Sequence, residues 1–256
     1  MKSFRLILIS TGILISVSAH SGWQDSILKQ AGDIMGGDSS SISKAAGSLN
    51  NGDISAGLKQ ALDIGVKKAV DILGKDGGFL KDEAVKILMP EELQKVDQFL
   101  RSVGQDEIAD EFILSMNNAA EKAVPQVTEI FTDSISKMSI TDAKQILTGP
   151  DNAATQYFKK NTSQQLQKMI KPHVQNSMAG ADVTKYYNSM LGMAKEYDKF
   201  GLLKRYLGTD EGNLENYVTD KTMSGLFSKI AIQEKAIRNN PAMRTTDLLK
   251  KVFANN

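Results

Sequence analysis

Cysteine is absent from this chain of 256 residues. The absence excludes disulfide bonds, cysteine-ligated zinc, iron–sulfur clusters and thiolate catalysis. It also excludes a lipid anchor attached to an N-terminal cysteine. The folded part must therefore be stabilised by its hydrophobic core alone, and hydrophobic residues, at 41% of the chain, are frequent enough to form one.

Histidine is scarce, since the chain contains only His20 and His173. His20 lies beside a predicted cleavage site, and His173 alone cannot form a two-histidine metal face; its position after Pro172 is typical of a surface histidine. The chain has no G-x-S-x-G nucleophile elbow, no G-x-x-x-x-G-K-[ST] phosphate loop and no G-x-G-x-x-G motif. We therefore expect no metal, no cofactor and no nucleotide chemistry.

An excess of either charge is lacking as well, because 31 Lys and Arg residues stand against 30 Asp and Glu residues. Lys2 and Arg5 belong to the predicted leader described next, so the rest of the chain is slightly acidic. A protein that binds nucleic acid needs a basic stripe along one face, which this balance disfavours. We expect no nucleic acid partner.

Residues 1–21 have the pattern of an export signal. Two basic residues precede an apolar run over 6–17, and small residues follow. The run is shorter than the ~20 residues that cross a bilayer. The pattern therefore predicts a signal peptide cleaved near Ala19 or Ser21, no stable membrane anchor, and a protein that is periplasmic or secreted.

The rest of the chain divides by composition into a linker and a domain. Residues 22–51 are rich in Gly, Ser, Asp and Asn, which is typical of a flexible linker, and only Trp23–Met35 has the spacing of a short helix. Over 52–256, apolar residues recur with a period near 3.6 and no segment alternates with a period of two. These patterns predict one all-α domain, a single bundle of about eight to ten helices, with a mobile loop at 201–213.

Local signals predict where several helices begin and end. Asp53 is predicted to cap the first helix, which ends at Gly74. Pro172 removes a backbone donor inside a later helix, so that helix is predicted to bend or divide there. Caps are predicted for three further helices, from Ser139 in a capping box with Asp142, from Asp151 and from Asp182.

Polar side chains are concentrated in segments 148–162 and 239–253. Two further pairs of polar residues have i, i+4 spacing, which places both members of a pair on one helix face. The pairs are Asn117 with Glu121 and Glu234 with Arg238. Two explanations remain open: helix caps with an internal salt-bridge network, or a polar pocket for a ligand. The candidate ligand-binding residues are Asn117, Glu121, Asp151, Thr155, Tyr157, Arg244 and Thr245.

Arg244 would give such a pocket a fixed positive fork that can hold a carboxylate or phosphate with two hydrogen bonds. If Arg244 is buried for structural reasons, it needs a carboxylate partner. Thr245 or Thr246 is predicted to cap the last helix.

Methionine and tyrosine residues near position 190 allow a second type of site. They line either a cavity for a lipid or another apolar ligand, or the ordinary core, which methionine often fills. The residues concerned are Tyr186, Tyr187, Met190 and Met193.

Several segments resemble, in order and spacing, the bacterial family known as domain of unknown function 4197 (DUF4197). The segments are Leu147–Phe158, Tyr217–Phe227 and Asn240–Phe253, together with 76–80 and 115–125. The resemblance extends over most of the predicted domain. It implies an exported all-α bacterial protein of unknown function, and it supplies no catalytic residues.

Two functions from different classes remain as hypotheses. The first is a non-enzymatic module of the cell envelope that binds a small ligand or an envelope protein. The alternative is a carboxylate-dependent hydrolase or lyase, with Glu121, Asp151 or Glu234 as general base. Convergence of the candidate residues in one water-accessible cleft would favour the enzyme. The sequence predicts no oligomeric state.

Overall fold

A computed structural model describes residues 50–201 and 211–253. These ranges are helical and contain no β-strand, which confirms the predicted all-α fold. The predicted signal peptide, nearly all of the predicted linker and residues 202–210 of the predicted mobile loop lie outside the described residues. Within the described ranges, no helix combines the length and the apolar character that crossing a bilayer requires.

The α-helices of the described ranges follow one another with short connections. In chain order they are α1 (Asn51–Leu73), α2 (Gln94–Ser102), α3 (Asp106–Ala123), α4 (Thr128–Lys137), α5 (Ile140–Leu147), α6 (Ala153–Gly180), α7 (Val183–Tyr197), α8 (Glu211–Asn239) and α9 (Asp247–Val252). Short 3₁₀ turns occupy Glu91–Leu93, Val124–Val127 and Pro241–Met243.

The two longest helices, α6 and α8, pack against each other and form the middle of the bundle. Helices α1 and α3 cover them, and α7 and α9 pack on α3 and α1 respectively. Phe131 of α4 lies edge-on to Phe158 of α6, with ring centroids 5.5 Å apart, and to Phe227 of α8, at 6.2 Å. Such aromatic pairs add about 0.5–1.5 kcal/mol each to the burial of their surface, so these three helices share one core.

Helix α1 begins slightly earlier than predicted. Its N-cap is Asn50, whose side chain accepts a 2.8 Å hydrogen bond from the Asp53 backbone N–H. The prediction that Asp53 is the cap was therefore wrong, because an amide side chain three residues earlier already satisfies that N–H. The predicted end at Gly74 is confirmed.

Side-chain caps explain some helix starts and not others. The capping box of Ser139 and Asp142 is confirmed at α5, and Thr246 caps α9, which resolves the choice between Thr245 and Thr246. Helix α6 follows Asn152 and has no side-chain cap from its own flank. Helix α7 follows Asp182, which has φ of 54° and makes no capping bond. The predicted caps from Asp151 and Asp182 were wrong.

Pro172 lies inside α6 without dividing it, since the helix continues to Gly180. The missing N–H would have bonded to the carbonyl of Lys168, which lies on the exposed side of the helix where water can satisfy it. Ile170 and Val174, on either side of the proline, are fully buried and hold both halves of the helix against the core.

Candidate functional site

The first predicted pair, Asn117 and Glu121, lies on the buried face of α3. Glu121 is only 4% exposed. Its Oε2 accepts a hydrogen bond from the N–H of Gly77 at 3.0 Å, and its Oε1 accepts from Phe79 at 3.0 Å and from Leu80 at 3.2 Å. The carboxylate therefore acts as an anchor for the turn after α1.

Asn117 binds the segment between α1 and α2 at a later position, Ile87. Its Oδ1 accepts from the N–H of Ile87 at 2.9 Å, and its Nδ2 donates to the carbonyls of Ile87 and Ile113 at 2.8 Å. The side-chain amide thus bonds both the N–H and the C=O of Ile87, as a residue of a neighbouring strand would. We name residues 74–90, which these two side chains secure, the anchored loop.

The anchored loop is also fixed to α8. Lys229 of α8 forms a half-buried ion pair with Asp82, and its hydrogen bond lowers the pKa of the Asp82 carboxyl below the usual value. Phe79 packs so closely on Gly225 that a Cβ at Gly225 would lie 2.7 Å from its ring. Side chains of the loop, those of Phe79, Val85, Ile87 and Met89, are consequently buried in the core.

The second predicted pair, Glu234 and Arg238, is buried on α8. Glu234 accepts from the N–H groups of Ala154 and Thr155 at 2.9 Å and from the Thr155 hydroxyl at 2.8 Å. These donors belong to the first turn of α6, where backbone N–H groups have no acceptor within their own helix. Glu234 therefore supplies, from another helix, the cap that the flank of α6 lacks.

Arg238 completes this network. Its Nε and Nη2 donate to Oε1 of Glu234 at 3.2 and 3.0 Å. Its Nη2 also donates to the carbonyl of Ile146 at 2.7 Å, and Nη1 to that of Leu147 at 3.2 Å, which caps the end of α5. One ion pair thus joins the end of α5 to the start of α6.

Arg244 is buried, but its partners differ from the expected carboxylate. Its Nε donates to the carbonyl of Ile237 at 3.2 Å and its Nη2 to that of Arg238 at 2.7 Å, which caps the end of α8. The guanidinium carbon lies 5.8 Å from the centroid of the Phe253 ring. The expectation of a carboxylate partner was wrong, because backbone carbonyls and an aromatic face stabilise the charge.

The structure does not bring the seven candidate residues into one cleft. Asn117 and Glu121 bind the anchored loop, Thr155 belongs to the Glu234 network, and Arg244 caps α8. Asp151 and Thr245 are exposed. Asp151 accepts a 3.3 Å hydrogen bond from Asn239. Among the residues described, every buried side-chain nitrogen or oxygen has a hydrogen-bond partner, and no three His, Asp or Glu side chains are grouped as metal ligands.

Tyr157 is half-buried in a separate polar groove of about 390 Å³ beside Gly149 and Pro150. Burial, and then the nearby Asp142 charge, raise the pKa of the Tyr157 hydroxyl. Of the seven candidates, Tyr157 alone lines this groove.

A pocket of about 300 Å³ lies where the end of the anchored loop meets α7 and α8. Its apolar walls are Pro90, Leu93, Leu214 and the rings of Tyr187 and Tyr217, and its polar groups are Glu92, Asn216 and Asp220. We name it the two-tyrosine pocket.

Tyr217 is held firmly at this pocket. Its hydroxyl donates a 3.0 Å hydrogen bond to the carbonyl of Leu88 in the anchored loop. Burial raises the pKa of Tyr217, and the charges of Glu92 and Glu91 raise it further. A neighbouring hollow of about 360 Å³ shares Tyr217 and Glu92 with the pocket and also contains Leu88, which is 57% exposed.

Of the four residues predicted near position 190, Tyr187 lines the pocket. Met190 is fully buried in the core, and Tyr186 and Met193 are partly buried against the core. Tyr217 and Asp220 were not predicted as site residues. The i, i+4 spacing of Asn216 and Asp220 on α8 was a usable signal, but nothing in the sequence shows that this face of α8 meets Pro90.

Fold and site together define an all-α protein whose buried carboxylates secure distant backbone segments and whose surface carries small pockets. The chain belongs to the family described as protein of unknown function (DUF4197), whose family model matches residues 48–254. This match confirms the resemblance found in the sequence. No curated protein and no solved structure matches the chain significantly.

Proposed function

We propose that the protein is an exported, non-enzymatic helical module that binds a small ligand in the two-tyrosine pocket. The observation that carries the proposal is the lining of this pocket. Small-molecule sites are concave and mostly apolar, with a few polar groups that orient the ligand. Five apolar or aromatic side chains together with Glu92, Asn216 and Asp220 fit that description.

The two carboxylates of the pocket are available in a way that the buried carboxylates are not, whereas Asn216 already accepts a 2.8 Å hydrogen bond from Lys171. Glu92 and Asp220 form no ion pair with any described residue, and Asp220 has only a long, 3.5 Å contact with Gln167. By contrast, Glu121 and Glu234 each accept three hydrogen bonds from the backbone or a hydroxyl. A ligand can use the first two carboxylates without breaking the fold.

The same contrast makes the hydrolase hypothesis less attractive than binding. A general base needs a free lone pair within hydrogen-bond reach of its substrate. Glu121 and Glu234 would have to release main-chain donors to act as bases, and Asp151 is exposed and accepts a hydrogen bond from Asn239. No observation favours catalysis specifically.

Export is supported by the leader pattern over 1–21. We expect the chain made in a Gram-negative host to appear in the periplasmic fraction with a new N-terminus near Ala19 or Ser21. Intact-mass measurement of the fractionated protein tests this, and an uncleaved cytoplasmic product would contradict it.

Ligand binding is tested with the protein purified from that fraction. Native mass spectrometry and a thermal-shift screen of small metabolites should find a ligand that stabilises the wild type and the control Y157A, but not Y217A. Tyr157 is the matched control because it is also half-buried and lines a different groove.

Y217A removes a hydrogen bond to the anchored loop as well as a pocket wall, so D220A, at an exposed position, provides a second pocket variant. Stabilisation that persists in both pocket variants would overturn the assignment of the site. A screen without any stabilising ligand would overturn the proposed function.

A further inference from the structure

The two charged side chains that line the two-tyrosine pocket are both acidic. Glu92 and Asp220 line it, and no Lys, Arg or His does. This is a local property, because basic and acidic residues are nearly equal in number over the whole chain. A ligand in the pocket therefore meets negative charge from two separate elements, the 3₁₀ turn before α2 and helix α8.

Two lysines, Lys171 and Lys221, lie beside the pocket but do not line it: Lys171 donates to the side chain of Asn216 at 2.8 Å. The ammonium of Lys221 lies 5.3 Å from the centroid of the Tyr217 ring and lines the neighbouring hollow. Its position shows that this ring already attracts a cation, as tyrosine rings do within about 6 Å. Burial first, and then the charges of Glu92 and Glu91, raise the pKa of the Tyr217 hydroxyl.

The remaining walls limit the rest of the ligand. Pro90, Leu93 and Leu214 offer hydrocarbon contacts and no charge. A volume of about 300 Å³ is at the lower end of ligand pockets, which suits a short chain of methylene groups.

Resting on the proposed function, we propose that the two-tyrosine pocket binds a small organic cation, with a primary ammonium or guanidinium group on a chain of methylene groups. The cationic group lies among Glu92, Asp220 and the tyrosine rings, and the chain lies against the apolar walls. A free diamine and a lysine side chain of a peptide share this chemistry.

Calorimetric titration of the mature full chain at physiological salt tests the charge requirement. Cadaverine is the probe, pentanediol is its neutral analogue and glutarate its anionic one. Charge-assisted hydrogen bonds contribute about 1.5–3 kcal/mol each, so cadaverine should bind at least about tenfold more tightly than either analogue. Equal or tighter binding of pentanediol or glutarate overturns the proposal.

Variants of single carboxylates locate the interaction. E92Q and D220N should each weaken cadaverine binding about tenfold. E107Q is the matched control, because Glu107 is an exposed carboxylate that lines neither the pocket nor the neighbouring hollow; the affinity of this variant for cadaverine should change less than about twofold at a Debye length of about 8 Å. Equal losses in all three variants would overturn the site.

The source of the cation is distinguished by a second probe, an acetylated and amidated Gly-Lys-Gly peptide. Binding of cadaverine, with or without the peptide, supports a free amine, and binding of the peptide alone supports a basic side chain of a partner. If a screened ligand without positive charge binds and is lost in Y217A, the proposed function stands and the cation proposal fails. If no compound binds, both fail.

Discussion

Glu121 and Glu234 perform the same task in two regions of the domain, but their charges are balanced differently. Each buried carboxylate binds backbone N–H groups of a segment far away in the sequence. Glu234 shares its site with the guanidinium of Arg238, whereas Glu121 binds three N–H groups and forms no ion pair among the described residues. Partial charges of the backbone can thus replace a full counter-charge.

Arg244 repeats the solution of Glu121 with the opposite sign. Its buried guanidinium binds the carbonyls at the end of α8 and an aromatic face, again without a counter-ion among the described residues. The comparison teaches that each of these three buried charges fixes a backbone segment.

Removal of Glu234 should have the largest effect. E234A leaves Arg238 buried without its counter-charge and two N–H groups of α6 without an acceptor, so we expect a loss of about 3–5 kcal/mol in the free energy of unfolding. The double variant E234L/R238M should lose clearly less, because it buries no unpaired charge. Urea unfolding measures both. A double variant that loses as much stability as E234A would contradict the paired description.

Removal of the Glu121 charge should lower the free energy of unfolding less, and no partner substitution should rescue it. E121Q keeps one acceptor oxygen and presents an amide to the other donors, so we expect a loss of about 2 kcal/mol. Hydrogen exchange at the amides of Phe79 and Leu80 should accelerate with it. E107Q, at an exposed position of the same helix, is the control and should change stability by less than about 0.5 kcal/mol. A neutral E121Q would contradict the anchoring role.

Arg244 should matter less again. R244M preserves much of the packing on Phe253 but removes two hydrogen bonds to carbonyls of α8, so we expect a loss of about 1.5 kcal/mol. If the residue is a helix cap only, R244M lowers the melting temperature and leaves ligand affinity in the two-tyrosine pocket unchanged. A loss of affinity in the folded variant would restore Arg244 to the list of ligand-binding candidates.

The smallest effect concerns the ion pair that joins the anchored loop to α8. The pKa of Asp82 is lowered in the folded state by Lys229, so its contribution is present at neutral pH and is lost as the pH falls through about 4 and below. D82N should therefore flatten the dependence of stability on pH in that window. Urea unfolding of both proteins at pH 7 and pH 3 checks this, and parallel profiles would contradict it.

The sequence predicts the elements better than their connections. Periodicity identified the helical segments, and the capping box at Ser139 was visible because both its members are local. The i, i+4 pairs were also visible, since one helix carries both residues. Their partners were not, because a backbone N–H such as those of Phe79 or Ala154 has no sequence signature.

The same limit applies to the two-tyrosine pocket. Tyr217 and Glu92 lie far apart in the chain, and their proximity depends on the course of the anchored loop, which Asn117 fixes through the peptide of Ile87. The order of residue types along the chain cannot predict that Tyr217 and Glu92 are close, because their proximity depends on Asn117. The family model extends over the whole region, but it describes no function.

The first and last helices of the described domain touch each other. Gly57 of α1 faces α9 so closely that a Cβ there would lie 2.5 Å from a methyl carbon of Val252, and Thr246 donates to the side chain of Gln60 at 2.9 Å. A chain synthesised from its N-terminus makes α1 well before α9. One face of α1 therefore stays without its partner until α9 has been made.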